Sequence, residues 1–185
     1  MTHSLPHRKT RRRYSFPNSI HELTFSCYRN LPLLVSERTC KNLAVAVVQA
    51  SNSMDYSVIA YVFMPTHAHL LVMPNEAGYT ISDFLKFVKQ SAARKELIYL
   101  KRNEPENLKR LETGWQHAKY LLWQRGGGYD RNITEPETLR NSIDYINNNP
   151  LRKGLVENAC DWKWSSARDW LRDEQGVIPV HKIIF

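Results

Sequence analysis

The sequence predicts an α+β domain in which one antiparallel sheet packs against helices in a two-layer sandwich. Two observations carry that expectation. Strand-like stretches fall at 21–29, 56–64 and 67–73, and helical apolar stripes fall at 37–54 and from Thr80 onward. A distorted strand edge within 121–133 and a third helical stretch follow, so the order reads β-α-β-β-α-β and then a helix. Two helices on one face of such a sheet leave the other face available for a site.

Each element has its own signal. In the first strand, after Pro17, Leu23, Phe25 and Cys27 alternate with polar neighbours. Residues 37–54 carry Leu43, Val47 and Val48 at helical spacing. The runs 56–64 and 67–73 are β-rich and separated by Pro65-Thr66, which reads as a hairpin. Thr80-x-x-Asp83 resembles a capping box and opens the second helix. Its apolar side holds Ile81, Phe84, Leu85 and Val88, and its other side Lys86, Lys89 and Arg94. Residues 103–121 are charged and weakly periodic, a loop or insertion with some helix. Gly126-Gly127-Gly128 marks a turn or a distorted strand edge within 121–133. Thr134-Glu135-Pro136-Glu137 reads as a capping box with proline in the first turn of the third helix. That helix is expected to stop near Asn149, because Pro150 disfavours a helical conformation in the residue before it.

Composition bounds the class. The chain has 185 residues, a length for one domain with an arm or appended lobe, and 42% hydrophobic residues, enough for a core. No apolar run approaches the ~18 residues of a membrane span. Cys27, Cys40 and Cys160 form no CxxC pair, which disfavours a disulfide framework or a four-cysteine zinc site. Free thiols and a polar, basic N-terminus without an apolar stretch fit a soluble protein of the reducing cytoplasm. Lys and Arg number 26 against 18 Asp and Glu, a net charge of +8. Five of the cations, Arg8, Lys9, Arg11, Arg12 and Arg13, stand in an N-terminal arm without an acid. Such an arm is either a solvated tail or a phosphate-binding segment. The division expected is a basic arm over 1–16, a domain over 17–156 with 99–121 as an insertion, and a tryptophan-rich extension over 157–185. Trp162 and Trp164 in that extension are candidates for stacking on unpaired bases, with core packing as the alternative.

Two constellations could carry chemistry. In a strand, His67 and His69 project from one face while Ala68, Leu70 and Val72 point to the helices. Two neighbouring imidazoles can bind a divalent cation, although histidines are also often plain hydrogen-bonded structure. On the third helix, Leu139, Ile143 and Ile146 form the core stripe. Tyr145 falls roughly 120° from that stripe, and Asn149, four residues later, shares its face. A half-exposed structural tyrosine and an ordinary C-cap at Asn149 are the alternatives, with Asn147 and Asn148 as helix-terminating residues. A phenol with pKa near 10 is a poor nucleophile at neutral pH. A metal held by two histidines can polarise a scissile phosphate for it, and a phosphotyrosine link would conserve the bond energy for rejoining.

His67-Ala68-His69 and Ile143-Asp144-Tyr145-Ile146-Asn147-Asn148-Asn149-Pro150 together resemble the REP-associated tyrosine transposases, single-tyrosine HUH transposases of insertion sequences. Met64-Pro65, Leu122-Trp123-Gln124-Arg125, Lys153-Gly154-Leu155-Val156, Asp161-Trp162 and Ser165-Ser166 extend the resemblance over roughly 14–170. It implies a ferredoxin-like fold that cleaves single-stranded DNA near hairpin-forming repeats through a 5′-phosphotyrosine. By position, Tyr145 would be the nucleophile, with His67, His69 and Asn149 as ligands of Mg²⁺ or Mn²⁺. The implied partner is single-stranded hairpin DNA, bound by a monomer or homodimer. Residues 99–121 and Gly126-Gly127-Gly128-Tyr129 depart from the family's pattern. Competing readings are a rolling-circle initiator or relaxase, a hairpin-binding protein that does not cut, and a structural zinc domain using His67, His69 and a cysteine.

Overall fold

The computed structural model describes residues 19–184 apart from Ala77, Tyr79 and Gly127. Strands β1 (Ile20–Ser26), β2 (Tyr56–Met64), β3 (His67–Pro74) and β4 (Tyr129–Ile133) form one antiparallel sheet in the order β2-β3-β1-β4. With α1 (Glu37–Met54) between β1 and β2 and α2 (Ile81–Asn103) between β3 and β4, this is the ferredoxin-like arrangement. A short α3 (Pro105–Lys109) follows α2, α4 (Pro136–Arg152) follows β4, and α5 (Ala167–Arg172) lies in the C-terminal extension.

The two-residue period of the strands separates two cores. Leu23, Phe25, Ala68, Leu70 and Val72 meet Leu43 and Val47 of α1 and Phe84 and Val88 of α2. Val62, Met64 and Leu71 on the opposite face meet Leu139, Ile143 and Ile146 of α4. Burying each of those three α4 side chains contributes about 2 kcal/mol. The face expected to be open is therefore half covered, because the apolar stripe of α4 needs a partner and the outward residues of β2 and β3 supply it.

The segment 99–121 packs onto the domain. Residues 99–103 complete α2, and Leu100, Leu108 and Leu111 are buried in the same core as β1 and α1. Both capping boxes are corrected. Thr80 is the N-cap of α2, but its backbone carbonyl, rather than its hydroxyl, accepts from Asp83 and Phe84. The N-cap of α4 is Glu135, one residue beyond Thr134, and no side chain caps it, although Pro136 is in the first turn as expected.

The end of α4 is a larger correction. The helix passes through a buried Pro150 and stops at Arg152. Its stop is Gly154, at φ +66°, whose N–H donates to Leu151 O at 2.9 Å while Leu155 N–H donates to Pro150 O at 3.0 Å. This pair of bonds is a Schellman motif, which satisfies the last carbonyls and requires a residue with positive φ. Asn149 is consequently inside the helix and not its cap.

The extension runs along the outer edge of β2. Phe63 N–H donates to Trp164 O, Ser166 N–H to Tyr61 O and His181 N–H to Val58 O. An otherwise exposed strand edge is thereby paired. The indole N–H groups of Trp162 and Trp170 donate to Phe63 O and Ile59 O, and Trp164 stacks on Phe63 at 6.3 Å between centroids. Core packing, the alternative to base stacking, is what these rings do. No helix among the described residues is long and apolar enough to cross a membrane.

Candidate active site

Strand pairing assembles the site. His69 lies opposite Val62 of β2 and Thr24 of β1, and His67 lies opposite Met64 and Ser26. The two imidazole centroids are 4.9 Å apart, and both rings face α4. The 3.6-residue period of α4 then places Tyr145 and Asn149 above them. The Tyr145 ring is 5.8 Å from the His69 ring, edge to face, and the Asn149 side-chain nitrogen is 3.4 Å from His69 Nε2. All four residues singled out in the sequence as site candidates within the domain thus meet at one place. The arm cations Arg8, Lys9, Arg11, Arg12 and Arg13 lie outside the described residues.

Two threonines hold the imidazoles. Thr24 Oγ1 is 2.8 Å from His69 Nδ1 and Thr66 Oγ1 is 3.0 Å from His67 Nδ1. The Asn149 amide lies against His69 Nε2 and the Thr24 hydroxyl against Nδ1, so both ring nitrogens have a polar partner. This is the support that a metal-binding imidazole needs from a second residue. Burial lowers the His67 pKa, with the nearby Lys153 charge adding to the effect. Burial, then the neighbouring His67, takes His69 down to about 4. Both rings are neutral at pH 7 and able to donate a lone pair to a metal.

Asn149 is 3% exposed, whereas Tyr145 is 40% exposed, so the amide is fixed in the fold while the phenol opens to the surface. Among the described residues no three His, Cys, Asp or Glu side chains gather as a metal site. Beside the His69 ring stands the side-chain amide of Asn149, whose oxygen and nitrogen exchange by rotation. Oxygen and imidazole donors suit Mg²⁺ or Mn²⁺. The donor set fits a divalent cation. The cysteine-containing alternative is not assembled: Cys27 and Cys40 lie in the α1–α2 core, their thiols pushed up to about 12 by burial, and Cys160 lies in a separate small cluster.

Reading the sequence alone missed several contributors. Thr24 and Thr66 gave no motif; only the β1–β3 register and the hairpin turn bring them to the histidines. Arg152, two turns after Tyr145, places its guanidinium 5.0 Å from the phenol ring centroid. Asn147, read as a helix terminator, is 1% exposed, and its Oδ1 accepts from Ser166 Oγ at 2.7 Å, tying α4 to the extension.

No protein-family model matches the chain. A curated Haemophilus influenzae protein named for the REP-associated tyrosine transposases is 28% identical over 123 residues. That match spans 65% of this chain and 64% of the relative's length. The solved structure of a REP-associated tyrosine transposase bound to a REP hairpin superimposes with a TM-score of 0.68 at 19% identity, covering 96% of this chain and 94% of that one. A crystal structure named for a Deinococcus radiodurans transposase covers 76% of this chain and 97% of its own at 23% identity and a TM-score of 0.46.

Proposed function

We propose that this chain, similar in sequence to a REP-associated tyrosine transposase and sharing that fold, nicks and rejoins single-stranded DNA beside a hairpin. The observation that carries the reading is the convergence of His67 and His69 of β3 with Tyr145 and Asn149 of α4 on one face of the sheet. An exposed phenol is placed against two neutral, oriented imidazoles, with a buried amide beside them.

In the reaction, Tyr145 Oη loses its proton and forms a bond to phosphorus as the bond from phosphorus to the 3′-oxygen breaks. The 3′-oxygen leaves with a proton as a free hydroxyl, and the 5′-phosphate stays on the tyrosine. Attack of another 3′-hydroxyl on that linkage reverses the step and joins strands without ATP. A divalent cation held by His67, His69 and Asn149 would supply charge stabilisation at the phosphate. Thr24 and Thr66 keep the lone pairs of the imidazoles directed toward it. The Arg152 guanidinium over the phenol ring helps to hold the ring in place. Asn147 and the Ile143–Ile146 stripe hold the helix so that Tyr145 cannot swing away.

The test is covalent capture. Protein is mixed with labelled single-stranded hairpins from the repeats flanking its gene, with Mn²⁺ or Mg²⁺, and resolved under denaturing conditions. A protein–DNA adduct lost with Tyr145→Phe, with His67→Ala and with chelator supports the proposal. Binding with no adduct across both metals and several hairpins points instead to a hairpin-binding protein that does not cut.

A further inference from the structure

Between β4 and the first half of α4, a groove of about 620 Å³ opens onto Tyr145. Its floor is a pair of cross-strand neighbours on each side, Glu22 opposite Arg131 and Thr24 opposite Tyr129. Asn141 and Ser142 of α4 form its wall. The groove shares Tyr145 and His69 with the active site. A strand that presents a phosphate to Tyr145 therefore has its adjoining nucleotide at or near this groove.

Arg131 is held there in a specific way. Its Nε and Nη2 both donate to Glu22 Oε2, at 3.0 and 2.5 Å, and Nη2 also donates to Ser142 Oγ at 3.1 Å. A guanidinium has five N–H donors. Three are committed, and the two on Nη1 remain. Glu22 is 8% exposed and so lies behind the arginine, which is itself 43% exposed. The ion pair brings no net charge. A residue whose charge is already balanced contributes little to counterion release, the main source of non-specific affinity for DNA. What it retains is a pair of directional donors on a fixed plane, and such donors read base edges. Guanine presents two acceptors, O6 and N7, and no donor on one edge, so an Nη1 N–H directed at that edge meets an acceptor. Tyr129, 37% exposed on the same floor, supplies an aromatic face on which an unpaired base can stack.

We propose that this groove is a base-reading subsite: one unpaired nucleotide adjoining the scissile phosphate stacks on Tyr129 and is selected as guanine by Arg131, held in place by Glu22 and Ser142. The inference rests on the reading that single-stranded DNA crosses Tyr145, and goes beyond it in naming what sets the sequence next to the cut.

The experiment uses the full chain carrying Tyr145→Phe, so that binding is read without reaction. It is mixed with hairpin oligonucleotides whose single-stranded flanks are randomised, and the retained fraction is sequenced. The expected result is a preference of about tenfold for guanine at one flanking position. Arg131→Gln should flatten that position, leaving the other positions and the salt dependence of binding unchanged. Since Arg131→Gln leaves Glu22 without its partner, a second variant is made on the exposed surface of α4. Asn141→Asp puts a negative charge in the groove and should weaken the preference at the same position in a fully folded protein. The subsite is overturned if Arg131→Gln weakens all sequences alike and lowers the salt slope, which marks a phosphate contact. It is also overturned if the Tyr145→Phe protein retains hairpins with a flat profile, or if folded Arg131→Gln and Asn141→Asp both keep the preference. Failure to retain any hairpin overturns the single-stranded DNA reading, and the subsite with it.

Discussion

The side-chain amide of Asn149 lies 3.4 Å from Nε2 of His69, eighty positions away in sequence. That contact and the 2.8 Å hydrogen bond between Thr24 Oγ1 and His69 Nδ1 hold the ring from its two sides. A consequence is that Thr24, which touches no substrate atom in this arrangement, controls how well the imidazole is presented. Thr24→Val should weaken Mn²⁺ binding by roughly tenfold or more, in the range found for lost support of a metal-binding histidine. Thr24→Ser should restore it. Titration calorimetry on the purified protein reads both, and equal affinity in Thr24→Val and the parent would mean that packing alone orients the ring.

The depressed His69 pKa makes a second expectation, about the metal-free protein in acid. The folded pKa of about 4 is below the unfolded value of about 6.5. Below pH 6.5 the unfolded chain therefore binds more protons, and stability rises with pH through this window. The contribution is complete above pH 6.5 and is lost progressively as pH falls toward 4, by about 3 kcal/mol. The lowered pKa of His67 acts in the same direction. Urea unfolding in chelator near pH 7 and near pH 4 should show the parent losing more stability than His69→Gln over that interval. Equal losses would show that His69 takes no part in the acid response.

How far the sequence carries can be judged from α4. The period of Leu139, Ile143 and Ile146 correctly orients Tyr145 and Asn149, because an apolar stripe has one way to face a sheet. The His67–Ala68–His69 alternation works for the same reason. Thr24 and Arg131 are invisible at that level. Their roles depend on the β1–β3 and β1–β4 registers, set by long-range pairing, and nothing local in Leu23-Thr24-Phe25 or Asp130-Arg131-Asn132 announces them. The misread helix end has a local cause. Pro150 removes only one donor and is accommodated in the last turn, whereas the positive φ at Gly154 is what turns the chain.

That distinction can be measured. Gly154→Ala places a Cβ in open space, so its cost is the left-handed backbone conformation alone, about 1 kcal/mol. A fall in melting temperature of roughly 2–4 °C is expected. Pro150→Ala keeps the helix and should leave Gly154 as its terminus, with unchanged helical content by circular dichroism. A stabilised Gly154→Ala protein would contradict the Schellman assignment.

Most of the +8 charge belongs to the five cations of residues 8–13, which lie outside the described residues. Counterion release makes the logarithm of affinity fall with the logarithm of salt in proportion to the phosphates neutralised. Deleting residues 1–13 should therefore weaken hairpin binding and flatten its salt dependence, measured by fluorescence anisotropy from low to physiological salt. An unchanged slope would place the phosphate contacts on the folded domain instead.

Gly128 offers the sharpest separation of fold from site. At φ +68°, a Cβ added there would come 2.1 Å from the carbonyl oxygen of Thr24, a backbone atom that cannot step aside. Gly128→Ala therefore incurs both the left-handed strain of Gly154→Ala and a displacement of β1 against β4, and should cost more than about 2 kcal/mol. The strand that moves carries Thr24, which holds His69, so the damage extends to the imidazole. Mn²⁺ affinity should fall in Gly128→Ala and remain at the parent level in Gly154→Ala, where the strain lies beyond the end of α4. Loss of stability without loss of metal affinity in Gly128→Ala would show that the β1–β4 edge yields locally and that the imidazole is anchored from β3 and α4 alone.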